Sequence, residues 1–262
     1  LLLLPEAFLG GYPRGHTFGM SIGARDPAGR ETYYAYYQSC ISLAPTSPER
    51  RELEAIAKDF NVFLVVGVIE RIGGSSIRCA VAMFDPSLGM VARRGKLMPT
   101  GSERTVWTAT PARREDLKPV EVVLAGQKVR LFAAICWENY MPLLRAAVYS
   151  AGRGCDIWLA PTADGRESWV GSMRYIAMEG RMFVVGCNQV VRKREVVPPL
   201  ELGEGEDGEE FVCRGGGVIF GPLGEELVAP TWEKVEGGVA VIEDLRREIV
   251  KSRLDIDQSG HY

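Results

Sequence analysis

The segment Leu131-Phe132-Ala133-Ala134-Ile135-Cys136-Trp137-Glu138-Asn139 decides the fold class of this chain. An apolar strand pattern ends at Cys136, and a helix is predicted from about Asn139 onward. A cysteine at such a junction lies near the positive end of the helix, which favours its thiolate form. Taken alone, however, the pattern fits a buried core thiol better than a nucleophile.

Strands and helices alternate on both sides of this segment. A hairpin is predicted around Arg71–Ser76, and the apolar face of the first helix carries Leu53, Ile56, Ala57 and Phe60. The helix after Cys136 has its apolar stripe at Leu143, Leu144, Ala147 and Val148. The predicted helices are one that begins at Ser47-Pro48-Glu49, then Tyr140–Ala151 and Ser168–Met182. The predicted strands are the end of one at Leu1–Leu4, then Val62–Ile69, Arg78–Phe84, Val129–Cys136, Asp156–Ala160, Phe183–Asn188, Gly217–Phe220 and Val239–Ile242. Helices mixed with hairpins predict a layered α/β or α+β sandwich.

Composition narrows the class of protein. The chain has 262 residues with 46% hydrophobic and 25% charged residues, which is typical of a globular protein, and we treat residues 1–262 as one domain. A net charge of −3 predicts no nucleic-acid partner and no anionic membrane surface. No apolar run approaches the roughly 20 residues that span a bilayer. The six scattered cysteines form no C-x-x-C pair, and we expect a reduced, cytoplasmic protein.

The scarcity of histidine limits the possible chemistry. The chain contains only His16 and His261. Histidine is the usual base for a cysteine or serine nucleophile and the commonest metal ligand. We therefore expect a carboxylate as the catalytic base and no metal site.

Three charged residues are candidates for that chemistry. Glu6 follows the apolar run Leu1–Leu4, and apolar surroundings raise the pKa of a carboxyl toward the range of a general base. Lys96 and Glu103 lie in one basic, proline-containing stretch. Considered alone, each of the three fits an ordinary surface charge, which most glutamates and lysines are.

Three segments that contain Cys136 and these charged residues resemble the signature segments of the nitrilase family, in the family's order. Shorter matches extend the resemblance over essentially the whole chain. The three segments are Leu4–Pro13 (LPEAFLGGYP), Lys96–Arg104 (KLMPTGSER) and Cys136–Arg145 (CWENYMPLLR). The shorter matches are Ala160–Glu167, Glu179–Arg181 and the closing Gly260-His261-Tyr262.

The resemblance implies a four-layer α-β-β-α sandwich with a Glu–Lys–Cys catalytic set. Carried over to this sequence, Cys136 is the nucleophile, Glu6 the general base and Lys96 the cation that stabilises developing negative charge. Glu103 matches a second glutamate that positions the lysine and the substrate. No metal or organic cofactor is implied. Relatives in this family form dimers that stack into spirals, so we expect a homo-oligomer.

Aromatic residues are candidates for substrate binding. Tyr12 matches a position that lines the pocket in the family. Trp107, Trp137 and Trp169 could form the wall of an apolar site, with ordinary core packing as an equal alternative. Glu138 and Arg145 are interpreted as ion-paired residues around the site.

The activity that the resemblance implies is hydrolysis of an organic nitrile to a carboxylic acid and ammonia. The reaction proceeds through a cysteine thioimidate and a thioester. The triplet Trp137-Glu138-Asn139 favours a nitrilase over an amidase. A cyanide hydratase, an amidase and a catalytically silent assembly module remain alternatives.

Three features depart from the family pattern. The family has a further strand and helix before its Pro-Glu motif, and this sequence opens five residues ahead of Glu6, so we expect that strand and helix to be missing. Gly95 replaces the usual residue before Lys96 and is expected to loosen the backbone there. The loop Thr108–Arg114 also differs and borders the expected pocket, so the substrate preference of relatives is not transferred to this sequence.

Overall fold

The structure is a computed structural model that describes residues 1–151, 154–201 and 208–257. Its strands are β1 (Leu2–Leu3), β2 (Met20–Ser21), β3 (Ala24–Arg25), β4 (Leu64–Ile72), β5 (Ser76–Asp85), β6 (Gly89–Gly95), β7 (Val120–Leu124), β8 (Gln127–Ala133), β9 (Ile157–Thr162), β10 (Phe183–Asn188), β11 (Val190–Arg192), β12 (Phe211–Phe220) and β13 (Glu226–Trp232). Its helices are α1 (Pro27–Ser39), α2 (Pro48–Asp59), α3 (Pro142–Tyr149), α4 (Glu167–Gly180), α5 (Leu245–Ser252) and α6 (Leu254–Asp257). The motif Gly260-His261-Tyr262 lies outside the described residues.

The strands form two large sheets. The smaller sheet has the order β1-β4-β5-β6, and β4 and β5 form the predicted hairpin, with Leu64 opposite Phe84 and Ile72 opposite Ser76. The larger sheet has the order β11-β12-β10-β9-β8-β7, and β13 pairs with β12. Strands β8, β9 and β10 run parallel, so their carboxyl ends lie along one edge of the sheet.

Side-chain alternation along the strands builds three hydrophobic cores between the layers. In β4, Val65 and Ile69 face the core between the two sheets, where Leu131 and Leu159 of the larger sheet also lie. Val66 faces the opposite side, in the core under α2. A third core packs the larger sheet against α3 and α4. The order helix, sheet, sheet, helix confirms the four-layer α-β-β-α sandwich, and burial on both faces explains the continuous apolar run of β4.

The apolar faces of two helices are narrower than predicted. On α2, Leu53 and Ala57 are buried and Ile56 is 37% exposed, and Phe60, directly after the helix, is 77% exposed. On α3, which begins at Pro142, Leu144 and Val148 are buried, whereas Leu143 and Ala147 are exposed. A sheet contacts only the one stripe of residues spaced four apart, so the neighbouring apolar residues remain in solvent.

Several elements were missed or wrongly predicted. The predicted strand Val239–Ile242 has no regular structure, and Val239 and Val241 are more than four-fifths exposed. Helix α1 was missed, although Asp26 caps it and Pro27 occupies its first turn. Strands β6, β7, β11 and β13 were missed because their exposed sides carry charged or polar residues that dilute the apolar signal. Among the described residues, no helix has the length and apolar character needed to cross a membrane.

Candidate active site

Cys136 lies on a sharp turn at the carboxyl edge of the larger sheet. Strand β8 ends at Ala133, and a 3₁₀ turn, not the predicted start of an α-helix, spans Cys136–Tyr140. The backbone of Cys136 has φ +50, a left-handed conformation that costs free energy for a residue with a Cβ. Asn139 fixes the turn, since its Nδ2 donates to the carbonyl oxygens of Ala134 and Cys136. The turn thus holds the thiol at the end of the strand.

Lys96 enters the same region from the smaller sheet, directly after β6. Its ammonium is fully buried and donates to Oε1 of Glu6 and Oε2 of Glu103, each at 2.7 Å. Burial alone would lower the pKa of Lys96, but the negative charge of Glu6 reverses this effect and raises that pKa above its ordinary value. Lys96 is therefore a buried ammonium ion held between two carboxylates.

Glu6 sits on a tight turn after β1. Ala7 beside it has φ +52, and Nε2 of Gln189 donates to the carbonyl oxygen of Glu6 at 2.8 Å. Oε2 of Glu6 is buried and has no hydrogen-bond partner among the described residues. Burial raises the pKa of Glu6, and the neighbouring Lys96 opposes that rise. One carboxylate oxygen is thus anchored to Lys96, while the other is available to accept a proton.

Glu103 completes the cluster from the 3₁₀ turn Gly101–Thr105. Its Oε1 accepts from the hydroxyl of Tyr12 at 2.6 Å, and its Oε2 accepts from the backbone N–H of Thr100 at 2.6 Å. Burial and the charge of Glu103 raise the pKa of Tyr12 above its ordinary value, so Tyr12 remains a proton donor in this bond. The carboxylate of Glu103 orients Lys96 and is itself oriented by Tyr12.

The thiol of Cys136 does not behave as the sequence predicted. Burial and the nearby charge of Glu6 raise the pKa of Cys136, while Lys96 and a hydrogen bond from Thr162 lower it less strongly. The expectation that a helix end favours the thiolate is wrong here, because the turn is a single 3₁₀ segment and Cys136 as a residue is only 4% exposed. On balance, the surroundings of Cys136 favour its neutral thiol form over the thiolate.

The predicted aromatic residues occupy three different environments. The ring of Trp107 lies 5.6 Å from the ammonium of Lys96 and contacts the Tyr12 ring edge-on. Trp137 is 42% exposed and donates from Nε1 to Asp164 at 2.9 Å. Trp169 is buried in the core between the larger sheet and α4 and does not join the cluster around Lys96. Its position corresponds to the core-packing alternative.

Sequence reasoning missed three residues that touch this cluster. Thr162 donates to Sγ of Cys136 at 3.2 Å, Gln189 holds the backbone of Glu6, and the thiol of Cys79 lies 3.5 Å from Oε1 of Glu6. Thr162 falls inside the segment Ala160–Glu167, which resembles the nitrilase family, and that resemblance was a signal from which Thr162 could have been found. Cys79 and Gln189 carry no such signal, since they reach Glu6 only through the tertiary fold.

The departure at Gly95 is compensated by the surrounding backbone. A Cβ at Gly95 would overlap Oγ1 of Thr110. The N–H of Lys96 donates to the carbonyl oxygen of Cys79 at 2.8 Å, and the N–H of Thr110 donates to the carbonyl oxygen of Lys96 at 3.1 Å. The backbone is therefore held on both sides of Lys96. Gly95 makes room for the loop Thr108–Arg114 and does not loosen the backbone that positions Lys96.

A cavity of about 960 Å³ opens beside Tyr12. Its lining is mainly apolar and includes Pro5, Gly11, Leu200 and Ile242. Tyr12 lines this cavity and also contacts Glu103. The cavity is not lined by the four groups of the cluster, which are Glu6, Lys96, Glu103 and Cys136. In the described part of the chain, no group of three histidine, cysteine or acidic side chains is placed to hold a metal ion.

Comparison with known proteins identifies the class. The chain belongs to the carbon–nitrogen hydrolase family, whose model matches residues 1–250. Within that family it is 41% identical to a bifunctional nitrilase/nitrile hydratase of Nicotiana tabacum, over 100% of this chain and 73% of that protein. It is 37% identical to an arylacetonitrilase of Trametes versicolor, over 100% of this chain and 82% of that protein. A carbon–nitrogen hydrolase from Helicobacter pylori shares the fold, with TM-score 0.65 and 19% identity over 91% of this chain and 76% of that one.

Proposed function

We propose that this protein is a nitrilase that converts an organic nitrile and two water molecules into a carboxylic acid and ammonia. The observation that carries the proposal is the buried ammonium of Lys96, hydrogen-bonded to Glu6 and Glu103 next to the thiol of Cys136. Such a cluster supplies a base, a cation and a nucleophile in a water-poor environment, where charge stabilisation is strongest. The nitrilase relatives, which match this chain over its whole length, support the choice of a nitrile substrate.

In the first half of the reaction, Glu6 accepts the S–H proton of Cys136 on its free oxygen Oε2. The sulfur attacks the nitrile carbon, and a C–S bond forms as one C–N π bond breaks. The nitrogen takes up the proton, which gives a thioimidate. Lys96 stabilises the negative charge that develops during attack, together with the backbone N–H of Trp137.

In the second half, Glu6 removes a proton from a water molecule that adds to the thioimidate carbon. The tetrahedral intermediate breaks its C–N bond, and ammonia leaves once its nitrogen is protonated. A second water then attacks the resulting thioester, the C–S bond breaks, and the thiol of Cys136 regains its proton. Glu103 and Tyr12 keep Lys96 oriented through every step.

Release of an amide is the second candidate outcome, and the relative in Nicotiana tabacum that is named for both activities favours it. Both reactions share the first water addition. If the C–S bond of the tetrahedral intermediate breaks before the C–N bond, the product is an amide and one water is consumed. Glu6 and Lys96 decide between these outcomes. Glu6 supplies the proton to the leaving nitrogen, and Lys96 stabilises the negative charge on oxygen.

The test is product analysis on aliphatic, aryl and arylacetonitriles, with Cys136→Ala as the control. Acid and ammonia in equal amounts, lost in Cys136→Ala, are expected for the nitrilase. Amide without ammonia would make the protein a nitrile hydratase. A folded protein that gives neither product, and whose Cys136 reacts with iodoacetamide no faster than a buried cysteine, would be a silent relative.

We also propose that the protein is a cytoplasmic homo-oligomer, a dimer or a higher spiral assembly. All six cysteines are free, as expected in a reducing compartment. Light scattering tests the assembly, since a monomeric mass at micromolar concentration would contradict it.

A further inference from the structure

Glu138 is a fully buried carboxylate two residues after Cys136. Its Oε2 accepts from the backbone N–H of Ile135 at 2.7 Å, and its Oε1 accepts from the backbone N–H of Leu97 at 2.7 Å. Both oxygens also accept from the guanidinium of Arg94, at 2.6 and 2.7 Å. Each oxygen therefore has one backbone donor and one arginine donor.

The two backbone donors belong to the residues next to the reacting groups. Ile135 precedes Cys136 shortly after the end of β8 in the larger sheet, and Leu97 follows Lys96 shortly after the end of β6 in the smaller sheet. One side chain thus ties the segment that carries the thiol to the segment that carries the ammonium. Arg94 adds to the same connection, since its Nη1 also donates to the carbonyl oxygen of Ala133.

We infer that Glu138 is a positioning residue, which sets the separation between Lys96 and Cys136 by holding Leu97 and Ile135 on one carboxylate. The inference rests on the proposed function for its catalytic consequence. If Glu138 served only as an ion-pair partner, its two hydrogen bonds from Arg94 would be sufficient. The two additional backbone hydrogen bonds, one from the segment after β8 and one from the segment after β6, let Glu138 hold these two segments together.

A glutamine cannot replace this carboxylate, although it has the same shape. Its amide nitrogen carries two N–H groups and no free acceptor, so whichever backbone N–H it faced would lose its acceptor. Arg94 would lose half of its charge-assisted contact at the same time. Glu138→Gln is therefore expected to release one of the two segments, and Lys96 would move away from the sulfur.

The chain offers a matched control in the pair of Arg130 and Asp156. Asp156 is buried, accepts from two nitrogens of the Arg130 guanidinium and also accepts from the backbone N–H of Arg130. It makes no contact with the cluster around Lys96. Asp156→Asn thus imposes a similar loss of buried hydrogen bonds without affecting the separation of Lys96 and Cys136.

The experiment compares Glu138→Gln with Asp156→Asn for unfolding temperature, nitrile kinetics and the pH dependence of Cys136 alkylation by iodoacetamide. We expect similar losses of unfolding temperature. Glu138→Gln should lower kcat by about tenfold or more with KM changed by less than about twofold. Its alkylation profile should move to higher pH, because Lys96 would no longer stabilise the thiolate as well. Asp156→Asn should leave kcat and the profile within about twofold of the wild type.

Equal kinetic effects of the two variants, at equal stability loss, would overturn the inference. If Glu138→Gln does not fold, Arg94→Lys and its control Arg130→Lys carry the same comparison with a milder change. Because alkylation needs no nitrile, a wild-type protein that hydrolyses no nitrile would refute the proposed function, while the alkylation profile would still decide the role of Glu138.

Discussion

The hydroxyl of Thr162 donates a hydrogen bond to the sulfur of Cys136 across 3.2 Å. The same oxygen accepts from the backbone N–H of Asp164 at 3.0 Å, which fixes the direction of the hydroxyl. The bond favours the thiolate, and with Lys96 it opposes the effects of burial and of Glu6 on the pKa of Cys136.

Replacement of Thr162 by valine should therefore slow the reaction of Cys136. A hydrogen bond to a charged partner is worth roughly 1.5–3 kcal/mol, so alkylation by iodoacetamide at neutral pH should fall about tenfold or more. Thr162→Ser keeps the hydroxyl and should react at a rate close to that of the wild type. Equal rates for the valine and serine variants would show that the bond has no influence on the thiol.

The pH dependence of activity should reflect the raised pKa of Glu6. Only the ionised carboxylate can accept the proton of Cys136, and burial keeps the pKa of Glu6 above its ordinary value of 4.5. Activity should thus be lost on acidification at a higher pH than an ordinary glutamate would give. The measurement is kcat/KM against pH in a stable buffer series, and an acid midpoint at or below 4.5 would contradict the expectation.

Loss of the Tyr12 hydroxyl should reduce turnover without unfolding the protein. Tyr12→Phe removes the 2.6 Å hydrogen bond to Glu103 and leaves that carboxylate freer to turn away from Lys96. We expect kcat to fall by about tenfold, since a charge-assisted hydrogen bond is lost. Tyr33→Phe, which removes a 2.7 Å bond to the carbonyl oxygen of Ser75, is the control and should keep full activity.

Two tryptophans should respond differently to substitution by phenylalanine. Trp169→Phe leaves a small void in the core under α4 and should cost about 1–2 kcal/mol of unfolding free energy with kcat nearly unchanged. Trp107→Phe removes the indole face beside Lys96 and the hydrogen bond from Nε1 to Tyr36, and kcat/KM should fall by about tenfold. A larger loss of activity in Trp169→Phe than in Trp107→Phe would contradict the assignment of Trp107, and not Trp169, to the site around Lys96.

The glycine before Lys96 should be coupled to Thr110. Gly95→Ala brings a methyl group into Oγ1 of Thr110 and should destabilise the fold by about 1–3 kcal/mol. Oγ1 of Thr110 is buried without a hydrogen-bond partner among the described residues, so Thr110→Ala by itself should cost little. In the double variant most of the loss should be recovered, as urea denaturation would show. Simple additivity of the two changes would mean that the clash is relieved elsewhere.

Local sequence was sufficient for the elements with strong periodicity or clear boundaries. The strand Phe183–Asn188 and the start of α2 at Ser47-Pro48 were predicted where they occur, because an apolar run and a capping residue act over a few positions. Helix α1 and strand β6 were missed because their apolar faces are weak, and Val239–Ile242 was taken for a strand because exposed valines look the same in sequence as buried ones.

The sequence by itself determined the layered fold class and the segments that contain Glu6, Lys96, Glu103 and Cys136. Only the tertiary structure decided that Lys96 meets Glu6 from 90 residues away and that Trp169 lies outside the cluster. It also decided that burial and the charge of Glu6 raise the pKa of Cys136. The reason is physical: patterning depends on neighbours in the chain, whereas ionisation and contact depend on burial and on charges that two packed sheets bring together.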